Sequence, residues 1–285
     1  MKELDFIEII KNQISTDLLG DDCAYLKDLG IVVTQDNFVE DIHFKRSWAT
    51  PFQIGYKATI VNISDILASG AKPAYITVGL SLPSNVDENF IKELYKGINC
   101  GLHGAKLAGG DITGADKIYI SISAIGTSKD RKISSRSVAK EGYTVITHGK
   151  YGESAKGLAE LMDGKQNTEA IKTHLEPILC PEFSEQIATQ IDVDYAMMDT
   201  SDGLADALFR IAQASGVTIK SKNVAGMFGA EDYHLVAVVP NEFLKKIKNY
   251  EIIGTVEKFN GAFLSVDGVE YSSYDELGLY DHFGG

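Results

Sequence analysis

Apolar side chains fall at every second position through Ala74, Ile76, Val78, Leu80 and Leu82, and again through Ile118, Ile120 and Ile122. A period of two is that of a strand with one covered face. The positions between carry Tyr75, Thr77, Gly79 and Ser81, then Tyr119, Ser121 and Ser123. Most of these are small, so a second layer can approach closely; a sheet packed on a sheet, such as one from a second subunit, fits this. Helical spacing covers 51–69 and 87–102, with Pro51 opening the first and Gly70 just past its end.

The polar stretch 128–142 interrupts this alternation and reads as a domain boundary, dividing the chain into 1–137 and 138–285. Beyond it the pattern predicts strands at 143–147, 196–199, 233–239, 252–256 and 262–266, with helices at 153–162 and 204–214. Strands and helices alternate in both parts, so the fold class is α/β, in two α/β domains.

Composition narrows the partners. The 285 residues include 40 acidic against 27 Lys plus Arg, a formal net charge of -13. That balance repels nucleic acid and anionic membrane surfaces. It also repels ATP, so phosphate chemistry here would need divalent cations to invert the local field. Cys23, Cys100 and Cys180 are odd in number and widely spaced, which predicts free thiols in a reducing compartment. The first residues mix Lys2, Glu3, Asp5 and Glu8 with apolar ones, and no segment approaches the roughly 20 apolar residues of a membrane span. Cytoplasmic residence is the expectation.

No GxxxxGK[ST] run, no GxGxxG after a strand and no protein-kinase catalytic loop is present. Instead, aspartates recur at the ends of the expected elements: Gly20-Asp21-Asp22, Gln35-Asp36, Ser64-Asp65, Gly109-Gly110-Asp111 and Asp199-Thr200-Ser201-Asp202-Gly203. Any one of them alone reads as a turn or a helix cap. Five together match what magnesium requires, a few hard carboxylate oxygens beside substrate phosphates.

The order and wording of these blocks resemble the thiamine-monophosphate kinases of the aminoimidazole-ribonucleotide synthetase superfamily. The likeness runs from Gly20-Asp21-Asp22-Cys23-Ala24 through 34–44, 54–58, 61–65, 68–71 and Gly109-Gly110-Asp111. It continues through Arg136, 199–204 and Glu231-Asp232-Tyr233 to Tyr280-Asp281-His282-Phe283. It implies two domains whose N-terminal sheets pair in a homodimer, with the active site between the domains. It implies ATP and Mg2+, with thiamine monophosphate as phosphoryl acceptor.

Position by position, Asp22, Thr34, Gln35, Asp36, Asp65, Asp111, Asp199 and Asp202 resemble metal positions, Gln35 through its main-chain oxygen. His103, Gly110, Asp111, Arg136 and Ser201 resemble ATP contacts. His43, Glu231 and Tyr280 resemble substrate contacts, a carboxylate and an aromatic face both suiting a cationic thiazolium. Two departures stand out: Ala230 replaces a family glycine, and the segment 217–228 is shorter than its family counterpart. The rival readings are another ATP-using enzyme of the superfamily and a nucleotide-binding regulatory protein without turnover.

Overall fold

The computed structural model describes residues 3–14, 16 and 18–279 and arranges them as two sheets with helices packed against them. The first part runs α1 (Glu3–Gln13), β1 (Ala24–Leu26), β2 (Ile31–Val39), α2 (Pro51–Ala68), β3 (Lys72–Leu82), α3 (Glu88–Gly101), β4 (Lys106–Gly114) and β5 (Tyr119–Thr127). The rest runs β6 (Thr144–Thr147), α4 (Glu153–Met162), α5 (Glu169–Leu175), α6 (Pro181–Gln190), β7 (Ala196–Asp199) and α7 (Leu204–Ser215), then β8 (Val217–Ser221), β9 (Leu235–Val239), β10 (Glu251–Lys258), β11 (Leu264–Val266) and β12 (Val269–Tyr271). The five-stranded sheet is ordered β1-β2-β5-β3-β4 and the seven-stranded sheet β12-β11-β8-β10-β6-β9-β7.

The period-two segments are the central strands β3 and β5, which pair antiparallel. Ile76, Val78, Leu80, Ile120 and Ile122 are buried under α2, while Tyr75 and Tyr119 on the other face stay 48% and 45% exposed. The edge strand β4 is exposed along its whole length. Among the described residues, the second face of this sheet therefore has no cover from within the chain.

Helix α2 is capped as its sequence requires. The Thr50 side chain accepts the Gln53 backbone N–H, Gln53 reaches back to the Thr50 N–H, and Pro51 fills a first-turn position that lacks a donor partner in any case. Its contact with α3 depends on two glycines. A methyl group at Gly97 would lie 1.9 Å from the Phe52 carbonyl oxygen, and one at Gly55 would lie 2.0 Å from that of Leu94. The other side of α2 enters the molecular interior with polar residues on it: Lys57, Asn62 and Ser64 are buried. Buried polar groups call for partners, and those partners form the site described below.

The strand expected from 233 begins at Leu235. Glu231 (φ 64°) and Tyr233 (φ 55°) lie in the left-handed region, which bends the chain and delays the strand. The short segment after α7 holds β8, seated between β11 and β10 in mid-sheet. Residues 222–229 then loop back, with Gly226 pressed against the Tyr151 backbone so closely that a methyl group would lie 2.2 Å from its carbonyl oxygen. Among the described residues, no helix is long and apolar enough to cross a membrane. All three cysteines are free thiols.

Candidate active site

Three elements bring carboxylates to one point: Asp22 from the loop before β1, Asp65 from α2 and Asp199 from the end of β7. One oxygen of each lies within 4.8 Å of the others. Each is held in place by a neighbour. Thr34 Oγ1 on β2 donates to Asp65 Oδ2 at 2.6 Å, and Ser64 Oγ on α2 donates to Asp199 Oδ2 at 2.6 Å. Arg136 Nη2 donates to Asp22 Oδ1 at 2.6 Å. Asp21 accepts the Arg136 backbone N–H at 2.7 Å, so the 20–22 loop grips the turn that carries Arg136. Asn62 on α2 accepts the Asp36 backbone N–H at 3.0 Å, holding β2 to the helix beside the cluster.

The electrostatics are unfavourable without a further cation. Burial, together with Asp22, raises the Asp36 carboxyl to about 6. Burial and the Asp22 charge raise Asp199 to about 7. Asp65 is driven up by burial and by Asp36, Asp199 and Asp22, and burial raises Asp22 despite Arg136. Like charges gathered in a desolvated site favour protons or metal. Arg136 Nε is itself buried without a hydrogen-bond partner. A hard-oxygen donor set beside an unused guanidinium donor suits a divalent cation carrying phosphate.

A second group forms two helical turns back along α2. Lys57 Nζ lies 3.2 Å from Glu231 Oε1 and 3.4 Å from His174 Nε2, while His174 Nδ1 lies 3.4 Å from Glu231 Oε2 and 3.1 Å from Ser154 Oγ. A protonated lysine can only donate, so His174 Nε2 accepts and its Nδ1 carries the proton. Burial and the Lys57 charge depress His174 to about 4, which keeps the ring neutral. His43 lines a pocket together with Phe38, Trp48, Lys57 and His174. Its Nδ1 accepts the Val39 N–H at 3.0 Å and its ring stacks on Phe38.

The remaining candidates fall as follows. Asp202 opens the turn into α7, where Arg210 Nη2 comes within 3.9 Å, and its charge is felt at Asp36. Ser201 lies between Asp199 and Asp202; its N–H points to Asp199 Oδ1 at 3.5 Å and its carbonyl accepts the Glu231 N–H at 2.7 Å. Gln35 alternates away from the cluster: its side chain bonds to Ser121 and Ser123 on the uncovered sheet face. Gly110 and Asp111 lie on exposed β4, paired with Val78 and Gly79, and Asp111 is outside the three-carboxylate group. His103, in a left-handed turn after α3, is pulled below its usual value by burial. Tyr280 lies outside the described residues.

Residues 20–128 match the family model for AIR synthase related protein, N-terminal domain. The thiamine-monophosphate kinase of Bacillus subtilis (strain 168) is 35% identical over 283 residues, covering 87% of this chain and 86% of that protein. The chain belongs to the thiamine-monophosphate kinase family. A member from Aquifex aeolicus is 30% identical over 94% of this chain and 95% of its own. A solved structure described as AaThiL complexed with AMPPCP and TMP is 28% identical and superposes with a TM-score of 0.88, covering 99% of this chain and 97% of its own.

Two residues of the second group, Lys57 and His174, stand outside the candidates that the motifs mark. Lys57 carried a visible signal, a lysine two turns before Asp65 on an otherwise interior helix. His174 carried none, because Glu231 and Lys57 reach it from distant parts of the chain.

Proposed function

We propose that the chain transfers the γ-phosphoryl group of ATP to the phosphate of thiamine monophosphate, releasing ADP and thiamine diphosphate. The observation that carries this reading is the convergence of Asp22, Asp65 and Asp199 beside Arg136 in a chain of this family. Asp22, Asp65 and Asp199 would hold magnesium, with Asp36, Asp202, Asp111, Thr34 and the main chain at Gln35 as further oxygen donors. Bound there, magnesium supplies positive charge that offsets repulsion between the ATP phosphates and the acceptor phosphate.

The protein's own groups position the reactants. Arg136 would offer its unpartnered Nε to a phosphate oxygen while its Nη2 stays bonded to Asp22. Ser201, Gly110, Asp111 and His103 complete the ATP contacts, and His43, Glu231 and Tyr280 take the thiamine end. The acceptor phosphate is already largely ionised at neutral pH, so no protein base has to deprotonate it. We place the division between the ATP-binding and C-terminal domains at 137/138. We further propose that the uncovered sheet face bearing Tyr75 and Tyr119 pairs with a second copy, and that the enzyme works in the cytoplasm, where ATP is supplied.

The test is product identification by mass after incubation with ATP, magnesium and thiamine monophosphate. Thiamine diphosphate is expected, and chelating the metal should stop its formation. ADP without thiamine diphosphate would point to another reaction of the superfamily.

A further inference from the structure

We infer that Lys57 is the positioning residue of the acceptor site: with His174 it braces Glu231 as a carboxylate of fixed orientation, which selects an acceptor that brings a cation or paired amine donors to that end. This rests on the proposed function and adds to it a residue and a basis for acceptor selectivity.

The three side chains form one cluster. Lys57 donates to one oxygen of Glu231 and to His174 Nε2, while His174 Nδ1, hydrogen-bonded to Ser154 Oγ at 3.1 Å, lies 3.4 Å from the other oxygen of Glu231. The Lys57 and His174 side chains are 3% and 4% exposed, whereas Glu231 is 26% exposed. The brace is therefore sealed inside while the carboxylate keeps an open edge. Glu231 sits in a left-handed backbone conformation, and its N–H is fastened to the Ser201 carbonyl, so main chain and side chain are both constrained.

Lys57 precedes Asp65 by eight residues on α2, about 12 Å at 1.5 Å per residue. One rigid helix thus carries the phosphate-handling carboxylate and, two turns away, the clamp on Glu231. An acceptor with a phosphate at one end and a cationic thiazolium with an aminopyrimidine at the other matches this separation of roles.

The groups facing Glu231 are Lys57 from α2, His174 from α5, His43 from the loop after β2, and Asp232 and Tyr233 beside it in the chain. Burial alone would push Glu231 up, but its neighbours, the Lys57 ammonium first among them, hold the carboxyl below its usual value. Removing Lys57 leaves burial unopposed by its main partner. The Glu231 carboxyl should then take up a proton at a higher pH than in the wild type and so lose its charge toward the acceptor more readily.

The experiment measures the Kd for thiamine monophosphate between pH 6 and 8, with KM values for both substrates, in the wild type, Lys57→Met and Lys57→Met/Glu231→Gln. Dividing mutant by wild-type Kd cancels the ionisation of the acceptor's own phosphate. Lys57→Met should raise the acceptor Kd roughly tenfold or more at pH 6, recover toward wild type at pH 8, and leave the KM for ATP within about twofold. The double variant leaves no unpaired buried charge, so it should fold, bind the acceptor weakly and lose the pH dependence. A pH-independent Kd ratio for Lys57→Met, or equal changes in both KM values, would overturn the inference while leaving the kinase reading intact. A wild type that neither binds nor phosphorylates thiamine monophosphate would overturn both.

Discussion

At the scale of single residues, the site is a balance of charges that the fold alone leaves unfavourable. Asp65→Asn and Asp199→Asn each remove one oxygen charge from a site that must hold cation and phosphate, so turnover should fall by about 100-fold or more. Neither should lower the melting temperature measured without metal, because each also relieves repulsion among buried carboxylates. Wild-type turnover in either variant would remove that residue from the metal site. Asp111 is exposed on β4, so Asp111→Asn should leave melting unchanged while lowering turnover. Full activity in that variant would take Asp111 out of the machinery.

The aspartates could be picked out in sequence because each stands beside small or turn-forming residues. The expectation that all lie at element ends holds for Asp199 at the end of β7 but not for Asp36 and Asp111, which sit inside β2 and β4 because their neighbours still pair in the sheet. Thr34, Ser64 and Asn62 lay within the matching blocks, yet their tasks, orienting Asp65, Asp199 and the Asp36 backbone, appear only when α2 meets β2 and β7.

At the scale of elements, α2 couples the parts. One side packs on α3 through Gly55 and Gly97, and another carries Lys57, Asn62, Ser64 and Asp65 into the site. Gly97→Ala forces the two helices apart or bends one of them. It should cost about 1–3 kcal/mol, read as a lower urea midpoint with an unchanged slope. An unchanged midpoint would mean that the helices slide apart without penalty. The helix at 51–69 was legible from its end residues and periodicity, and the helix at 153–162 and the two alternating strands from the pattern alone. Strand β8 was not, because its five residues form a short, largely interior run between Gly216 and the loop that opens at Lys222, and short apolar runs do not distinguish strand from other buried chain. The strand start at 233 was misplaced because left-handed geometry at Glu231 and Tyr233 belongs to non-glycine residues and leaves no mark in composition.

At the scale of the whole molecule, buried histidines give a defined response to acid. Burial depresses both His148 and His174 to about 4, from 6.5. The unfolded chain therefore binds these protons first as pH falls. Stability from the two neutral rings is fully present above about 6.5 and is lost progressively toward 4. Melting temperature should drop across that window, and NMR should show both imidazoles still neutral at pH 5.5; titration of either ring near 6.5 would contradict this. Pairing of the uncovered sheet faces is tested by Tyr119→Arg, which should convert a dimer to a monomer in sedimentation. A wild-type monomer at micromolar concentration would reject the pairing. That face was readable in sequence as an alternation of Tyr75, Thr77, Gly79 and Ser81, since strand period alone determines which side chains share a face.

The central claim is that the γ-phosphoryl group of ATP is itself transferred to the acceptor phosphate, and isotope tracing tests it most directly. With ATP carrying 18O in the non-bridging oxygens of its γ-phosphoryl group, a single turnover with magnesium and thiamine monophosphate should place all of that label in the terminal phosphate of thiamine diphosphate. Label released as inorganic phosphate, with thiamine monophosphate recovered unchanged, would contradict the account.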